Sequence, residues 1–537
     1  MTRNLFESLL RLGWHRVLPT LSAIAACVAA SASHAEEPNG LGAAMALQES
    51  FVKVIESAEK SVVSISRDKR QAGIHQDIAR APHPFLAHDG QIEPNPADPD
   101  WIPNEFGAGI IIDRDGLILT NYHLVRGGSI EGKPDPKSEQ MIYVRLPDKR
   151  GFEARIFAAD PRSDLAVLKI PVSDLTPLKL GSTTPLRKGQ LVVALGNPYA
   201  IARDGSASAT WGIIGNISRP AMQDGKPGDS ERQRKETVHH LGTLLQIDTR
   251  LDLGTSGGAL LNLRGELIGM TTSLAAILGY EKSAGFAVPF DDAMKRVIES
   301  LRQGKEVEYG FLGISLPPGE MHPAQYNSPE FAPIFKRMNQ FGAARIDRVL
   351  KDMPAEIGGL KNGDLVFRVG NKPIYNRTDL MREIGLMAPG TVARVRVFRP
   401  SQSLNQQGEE LERAVEVGKW PVVDEEGIIA SHPTRDPWRG IVYDYSTSRK
   451  RLIALPTLEP PTGVRVMEVR PGSPAALTGV FPGDLITHVK SVLVRTPREF
   501  ADAVQKESGA VVLKVKTPSD RNALDRQVEI RPEIKPR

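Results

Sequence analysis

Between Gly107 and Pro289 the chain is a succession of short β-branched runs broken by turn residues: GIIID, LILT, MIYVRL, LAVLKI, LVVAL, GTLLQI, ALLNL, ELIGM and GFAV. A parallel α/β sheet needs a crossover helix between strands, and almost no helical spacing separates these runs, so the pattern predicts a β-barrel or sandwich. A helix over Asp291 to Arg302 is expected to close the unit. Ahead of it, LGAAMALQESFVKVIESA (Leu41 to Ala58) has helical apolar spacing and SVVSI (Ser61 to Ile65) reads as a first strand. Residues 68–106 break the pattern with six prolines (Pro82, Pro84, Pro94, Pro96, Pro99 and Pro103), which reads as an exposed insertion.

At 537 residues the chain is too long for one core. Its last 230 or so residues hold an internal repeat: VLKDMPAEIGGLKNGDLVFRV (Val349 to Val369) aligns with VRPGSPAALTGVFPGDLITHV (Val469 to Val489). Each copy has a strand, Pro-Ala opening a short helix (Pro354-Ala355, Pro474-Ala475), and Gly-Asp before the next strand (Gly363-Asp364, Gly483-Asp484). A duplicated module is read as a binding unit. The Asp-, Glu-, Pro- and Gly-rich stretch from Lys419 to Pro437 reads as a linker.

The first 35 residues read as an export signal, with a basic start, an apolar run from Val17 to Ala30 and a small-x-Ala site at Ser33-His34-Ala35. Removing them subtracts two from the formal charge of +4, and the +2 that remains gives no case for nucleic acid. The single cysteine, Cys27, has two readings. Ile24-Ala25-Ala26-Cys27 resembles a lipoprotein lipobox, which would anchor the chain to a membrane, and it also fits a small residue in a signal's apolar core. Either way, disulfides, a thiol nucleophile and thiolate zinc sites are excluded from the remainder. Hydroxyl chemistry is the natural candidate, with no metal or cofactor expected.

LDLGTSGGALLN (Leu251 to Asn262) places Ser256 in a nest of glycines between two apolar runs. Gly-Thr-Ser-Gly-Gly is good turn chemistry, and it also suits a nucleophile whose neighbouring backbone N–H groups must face a developing oxyanion. A serine needs a base and an orienting acid. His123 follows the run GLILT, and Asp164 begins the run LAVLKI, so His, Asp and Ser occur in chain order, each at a strand edge.

The chain resembles the HtrA/Deg serine proteases across nearly its whole length after the export signal. The resemblance rests on GAGIIIDRDGLILTNYHLV (Gly107 to Val125), DPRSDLAVLKI (Asp160 to Ile170), VVALGNPYA (Val192 to Ala200), LLQIDTRLDLGTSGGALLN (Leu244 to Asn262) and GFAVP (Gly285 to Pro289). It implies a mainly β chain. A signal peptide (1–35) and an N-terminal helix (36–60) precede a chymotrypsin-like double β-barrel over 61–303. Two PDZ domains of α+β, partly open barrel form follow, over 304–418 and 438–537. It implies Ser256 as nucleophile, His123 as general base and acid, Asp164 as the orienting carboxylate, and the N–H groups of Gly254, Thr255 and Ser256 as the oxyanion hole. The implied activity is ATP-independent cleavage of misfolded envelope proteins by a homotrimer or higher oligomer. A chaperone that binds C-termini and seldom cuts is the alternative.

Three departures from the family pattern stand out: Thr255 where Asn is usual, Ala259 for Pro and Ala108 for Ser. The resemblance implies a pocket for small apolar residues near Leu251 and the loop holding Leu274 and Ala275. Arg250, six residues before the nucleophile, argues against cleavage after Lys or Arg, and a pocket in which it selects acidic residues stays open. In the first PDZ copy the resemblance implies a carboxylate loop at Phe311-Leu312-Gly313-Ile314 within YGFLGI. In the second, WRGIVY puts Arg439 at the apolar position and VKSVLV lacks the glycine of VGNKPI, which leaves peptide binding there open.

Overall fold

A computed structural model describes residues 40–69, 105–126, 140–181, 185–197, 205–220, 237–251, 254–272, 285–317, 327, 329, 331–401, 408–422, 427–448, 462–517 and 526–532. The signal segment with Cys27, most of the proline-rich insertion, and Leu274 and Ala275 lie outside them. The chain divides into residues 1–56 and 57–537. The first unit contributes most of one helix, Leu41–Ala58.

In the second unit the β-branched runs form two closed barrels, as expected. The first uses β1 (Val62–Lys69), β2 (Glu105–Ile111), β3 (Leu117–Asn121), β4 (Gln140–Arg145), β5 (Gly151–Asp160) and β6 (Leu165–Lys169). Their order is β5-β4-β1-β2-β3-β6, and a β5–β6 pairing closes the ring. Ten-residue β5 serves both neighbours because it bends at a bulge between Ile156 and Ala158, giving its first half to β4 and its second to β6. Alternating side chains such as Ile65, Ile118, Ile142, Val144, Ile156 and Leu168 fill the interior. The second barrel is β7 (Leu191–Gly196), β8 (Ser208–Arg219), β9 (Leu244–Ile247), β10 (Ala259–Asn262), β11 (Leu267–Thr272) and β12 (Gly285–Pro289), in order β10-β11-β12-β9-β8-β7 with β10 back on β7. The predicted closing helix is Asp292–Arg302, capped by Asp291, whose carboxylate accepts from Met294 N.

The sequence repeat is a repeat of hydrogen bonds. Ala355 N donates to Leu312 O at 2.8 Å and Ala475 N to Arg439 O at 3.2 Å; Leu350 N donates to Gly313 O at 2.9 Å and Arg470 N to Gly440 O at 2.8 Å. The duplicated aspartate has the same task in both copies. Asp364 and Asp484 are buried, accept from Lys361 N and Phe481 N, and are held by Arg399 and Arg526. Burial of those carboxylates is tolerated because each has a cation and backbone donors.

The stretch read as a linker is tied into the fold at two places. Gly418–Lys419 pairs with Gly310–Phe311 of the first repeat. Ile429–Ala430 adds a seventh strand to the first barrel's sheet, against Ala159 and Ala158 of β5. Between these anchors and the second repeat lies a buried charge cluster. Lys419 Nζ is 2.7 Å from Asp444, 3.0 Å from Glu306 and 3.3 Å from Glu308, and Arg435 bridges Glu308 and Asp444 at 2.8 and 2.7 Å. Burial alone would pull the Lys419 ammonium down, but the three carboxylates outweigh it and hold its pKa above the ordinary lysine value.

Candidate active site

His123 and Asp164 are delivered by two neighbouring strand ends of the first barrel. β3 ends at Asn121 and runs into one helical turn, Tyr122–Val125, which carries His123. The turn between β5 and β6 carries Asp164 in a left-handed conformation (φ 53°), one that aspartate tolerates better than most residues. Tyr122 N donates to Asp164 O at 2.9 Å and locks the two segments together. The Asp164 carboxylate then accepts from His123 N at 3.0 Å, Asn121 Nδ2 at 3.1 Å and His123 Nδ1 at 2.8 Å. A carboxylate can only accept, so Nδ1 carries the proton and Nε2 is the basic nitrogen. His123 Nε2 is buried, with no hydrogen-bond partner among the described residues.

The serine segment comes from the second barrel and meets the first along main chain. Ser256 O accepts from Ala108 N at 2.8 Å, and Gly107 lies between Leu124 and Ser256. Because this contact uses the Ala108 amide, serine and alanine serve equally there. Thr255 O receives Gly258 N at 3.1 Å and Thr271 Oγ1 at 2.6 Å, while Gly257 N donates to Thr271 O at 2.9 Å, so the turn is tightly fixed. Two of its glycines are obligatory. Gly254 (φ 93°) and Gly257 (φ 82°) are left-handed, and a Cβ would sit 2.4 Å from Asn197 O in the first and 2.0 Å from Ala108 O in the second.

Arg250 is exposed and lines a depression beside Leu251, Thr255, Ser208, Thr210 and Thr271. In the first repeat, Leu312 is buried, Gly313 is left-handed (φ 76°) and Ile314 pairs with Val349. In the second, the amide equivalent to that of Ile314 is committed: Ile441 N donates to Trp438 O at 2.8 Å. The Arg439 guanidinium reaches the carbonyls of Ile530, Gly509 and Glu507 at 2.6, 2.7 and 3.2 Å. Lys490 takes the left-handed conformation (φ 55°) that Gly370 takes in the first copy.

Sequence reasoning missed Asn121 and a second histidine. His239 is fully buried, with Nε2 2.8 Å from Ser163 O and Nδ1 2.7 Å from Thr243 Oγ1. The carbonyl requires Nε2 to carry a proton, and full burial disfavours a second one on Nδ1. Burial holds its pKa below the usual 6.5 against the opposing pull of the Ser163 carbonyl and Asp164. An unfolded chain takes up a proton near pH 6.5 that the folded one refuses, so stability is complete above that pH and is lost as pH falls toward the folded value. The melting temperature of the wild type should therefore drop more steeply between about pH 7 and 5 than that of His239→Gln, whose amide can still donate to Ser163. Parallel curves would exclude this account.

A trypsin-like peptidase domain family matches residues 107–270 and a PDZ domain family matches 465–517. The chain is 30% identical over 405 residues to a probable periplasmic serine endoprotease DegP-like of Hahella chejuensis, covering 74% of this chain and 75% of that one. A protein of the same description from Halomonas elongata is 30% identical over 472 residues, covering 84% and 87%. The chain belongs to the DegP-like serine endoproteases. As a DegP-like chain it is a serine endopeptidase, with a trypsin-like barrel pair followed by PDZ domains. Among solved structures it is similar to an HtrA-type protease, AlgW with tripeptide, at 23% identity, 69% of this chain, 98% of that chain and a TM-score of 0.45.

Proposed function

We propose that this DegP-like enzyme cleaves unfolded envelope proteins after export, with Ser256 as nucleophile, His123 as general base and then acid, and Asp164 as the group that fixes the histidine. The carrying observation is the Asp164 carboxylate, which holds both the His123 amide and its Nδ1. That geometry leaves Nε2 to take a hydroxyl proton, and the resulting imidazolium is stabilised by the adjacent charge. The amides of Gly254, Thr255 and Ser256 receive the oxyanion of the tetrahedral intermediate. The periplasmic naming of the relatives supports an envelope location, and the sequence signal supports export. Casein digestion with the product ends read by mass spectrometry tests the pocket: ends at Val, Ala, Ile or Leu support an apolar site, and ends at Asp or Glu would show that Arg250 selects the substrate.

The first PDZ domain binds the substrate C-terminus through Phe311, Leu312, Gly313 and Ile314. Its left-handed Gly313 and buried Leu312 support this, while the second domain's Ile441 amide is already used. A peptide ending in an apolar residue should raise cleavage of an unrelated substrate by a finite factor, about 5- to 150-fold, the range of ordinary allosteric coupling. Amidating its C-terminus removes the charge a nest of N–H groups receives and should cancel the activation. Equal activation by the amide would make the first PDZ domain a tether.

A further inference from the structure

The turn that carries Asp164 starts at a second carboxylate, Asp160, which is fully buried and collects an unusual number of donors. Oδ1 receives Arg162 Nε at 2.7 Å. Oδ2 receives Ser163 Oγ at 2.9 Å, Ser163 N at 3.2 Å and, from far along the chain, the hydroxyl of Tyr309 at 2.5 Å. Tyr309 immediately precedes Gly310–Phe311, the strand that opens the first PDZ domain's carboxylate loop. Its ring is buried, lies 4.7 Å from the Arg162 guanidinium carbon, and its carbonyl accepts from Trp420 N at 2.7 Å. Arg162 Nη2 in turn donates to Val307 O at 2.7 Å. Every residue from Asp160 to Ser163 is therefore tied down, Pro161 through its carbonyl, which accepts from Asp164 N at 3.4 Å. The next residue is Asp164, and Ser163 O is also held by His239.

We propose that Tyr309 is a positioning residue for proteolysis: through Asp160 its hydroxyl fixes the turn that aims the Asp164 carboxylate at His123. The proposal rests on the reading of His123, Asp164 and Ser256 as the catalytic triad. Without the hydroxyl, Asp160 Oδ2 keeps only its two local donors from Ser163, and the turn loses the one long-range anchor made to its carboxylate while keeping those from Arg162 to Val307 and from His239 to Ser163; the Tyr309 ring still fills its place. The carboxylate then meets Nδ1 less well, and the imidazolium form of His123 is less favoured. One consequence is that the residue preceding strand Gly310–Phe311 and the turn that carries Asp164 share a buried hydrogen bond.

The test uses the full chain and a small fluorophosphonate, which reacts with the activated serine without engaging a PDZ groove. Labelling rates are measured against pH for wild type, Tyr309→Phe and Asp160→Asn, with the labelled residue identified by mass spectrometry and melting temperatures recorded alongside. Tyr309→Phe should lower the plateau rate about tenfold, a modest loss for a displaced orienting group, and move the acid limb to lower pH. KM for a short peptide substrate should stay unchanged. The double variant should lose no more than the worse single one, because both changes break the same link. If Tyr309→Phe melts lower but labels with the wild-type rate and profile, Tyr309 only docks the PDZ domain and the proposal falls. If the wild-type label appears on a residue other than Ser256, it is the triad reading that fails.

Discussion

Ser256→Ala should lower casein turnover by a factor on the order of 10⁶, and His123→Ala by about as much, since a serine nucleophile and its base act as a unit. The double variant should be no slower than either single one, and folding should be unaffected. Asp164→Asn is the more informative change. The carboxamide oxygen can keep the bond from His123 N, which places its NH₂ against His123 Nδ1 in the position now held by Oδ2. Nδ1 must then accept and Nε2 must carry the proton, so the base is lost with little change in shape, at a cost of about 10⁴ in turnover. Initial rates on casein by gel densitometry, with circular dichroism as the fold control, decide the matter. Substantial cleavage by Ser256→Ala would remove the assignment of the nucleophile.

Lys419→Met should be the most damaging change away from the barrels. The ammonium is fully buried among Glu306, Glu308 and Asp444, and removing it leaves these carboxylates without their shared cation, Arg435 still bridging Glu308 and Asp444. Breaking a buried ion cluster on one side costs about 3 to 5 kcal/mol, more than the cluster contributes when intact. The pH window follows from the shifts. Lys419, raised above 10.5, stabilises the fold below that pH and ceases to as pH rises through its folded value. Asp444 pays for burial, but Lys419 and Arg435 hold it below 3.8, so its contribution is present above that pH and is lost on acidification through the folded value. The Lys419–Asp444 pair is therefore whole from about pH 4 to 10. Urea titrations followed by fluorescence and by limited proteolysis should show one shared transition in the wild type and two separated ones in Lys419→Met. A single transition at the wild-type midpoint would show that the cluster does not couple the domains.

What was legible in the chain was local. The period-two runs of both barrels, the left-handed glycines beside Ser256 and the duplicated Pro-Ala and Gly-Asp marks all announce themselves within a few residues, because strand pleat and turn geometry act over that distance. Asp164 at the start of LAVLKI was singled out only together with His123 and Ser256, as the middle member of a His, Asp, Ser order. By contrast, Tyr309 and Asp160 are 149 positions apart, and nothing in YGFLGI says that its first residue faces a protease turn. His239 was hidden for the same reason: its partner Ser163 lies 76 positions away. Lys419 to Pro437 was read as a connector because acidic and proline-rich composition usually means solvent, yet its first residue is fully buried.

The strand Ile429–Ala430 also bears on the order in which the molecule can be made. β5 leaves the ribosome roughly 270 residues before its last neighbour does, and domains commonly fold from the N-terminus as they emerge. The first barrel can close on its own ring, but the outer side of Ala158 and Ala159 stays bare until the whole first PDZ domain has followed. An uncovered strand edge pairs readily with other chains. During synthesis the protease thus carries an adhesive seam until its own C-terminal half arrives to cover it, and a chain cut short after residue 418 would keep that seam for life.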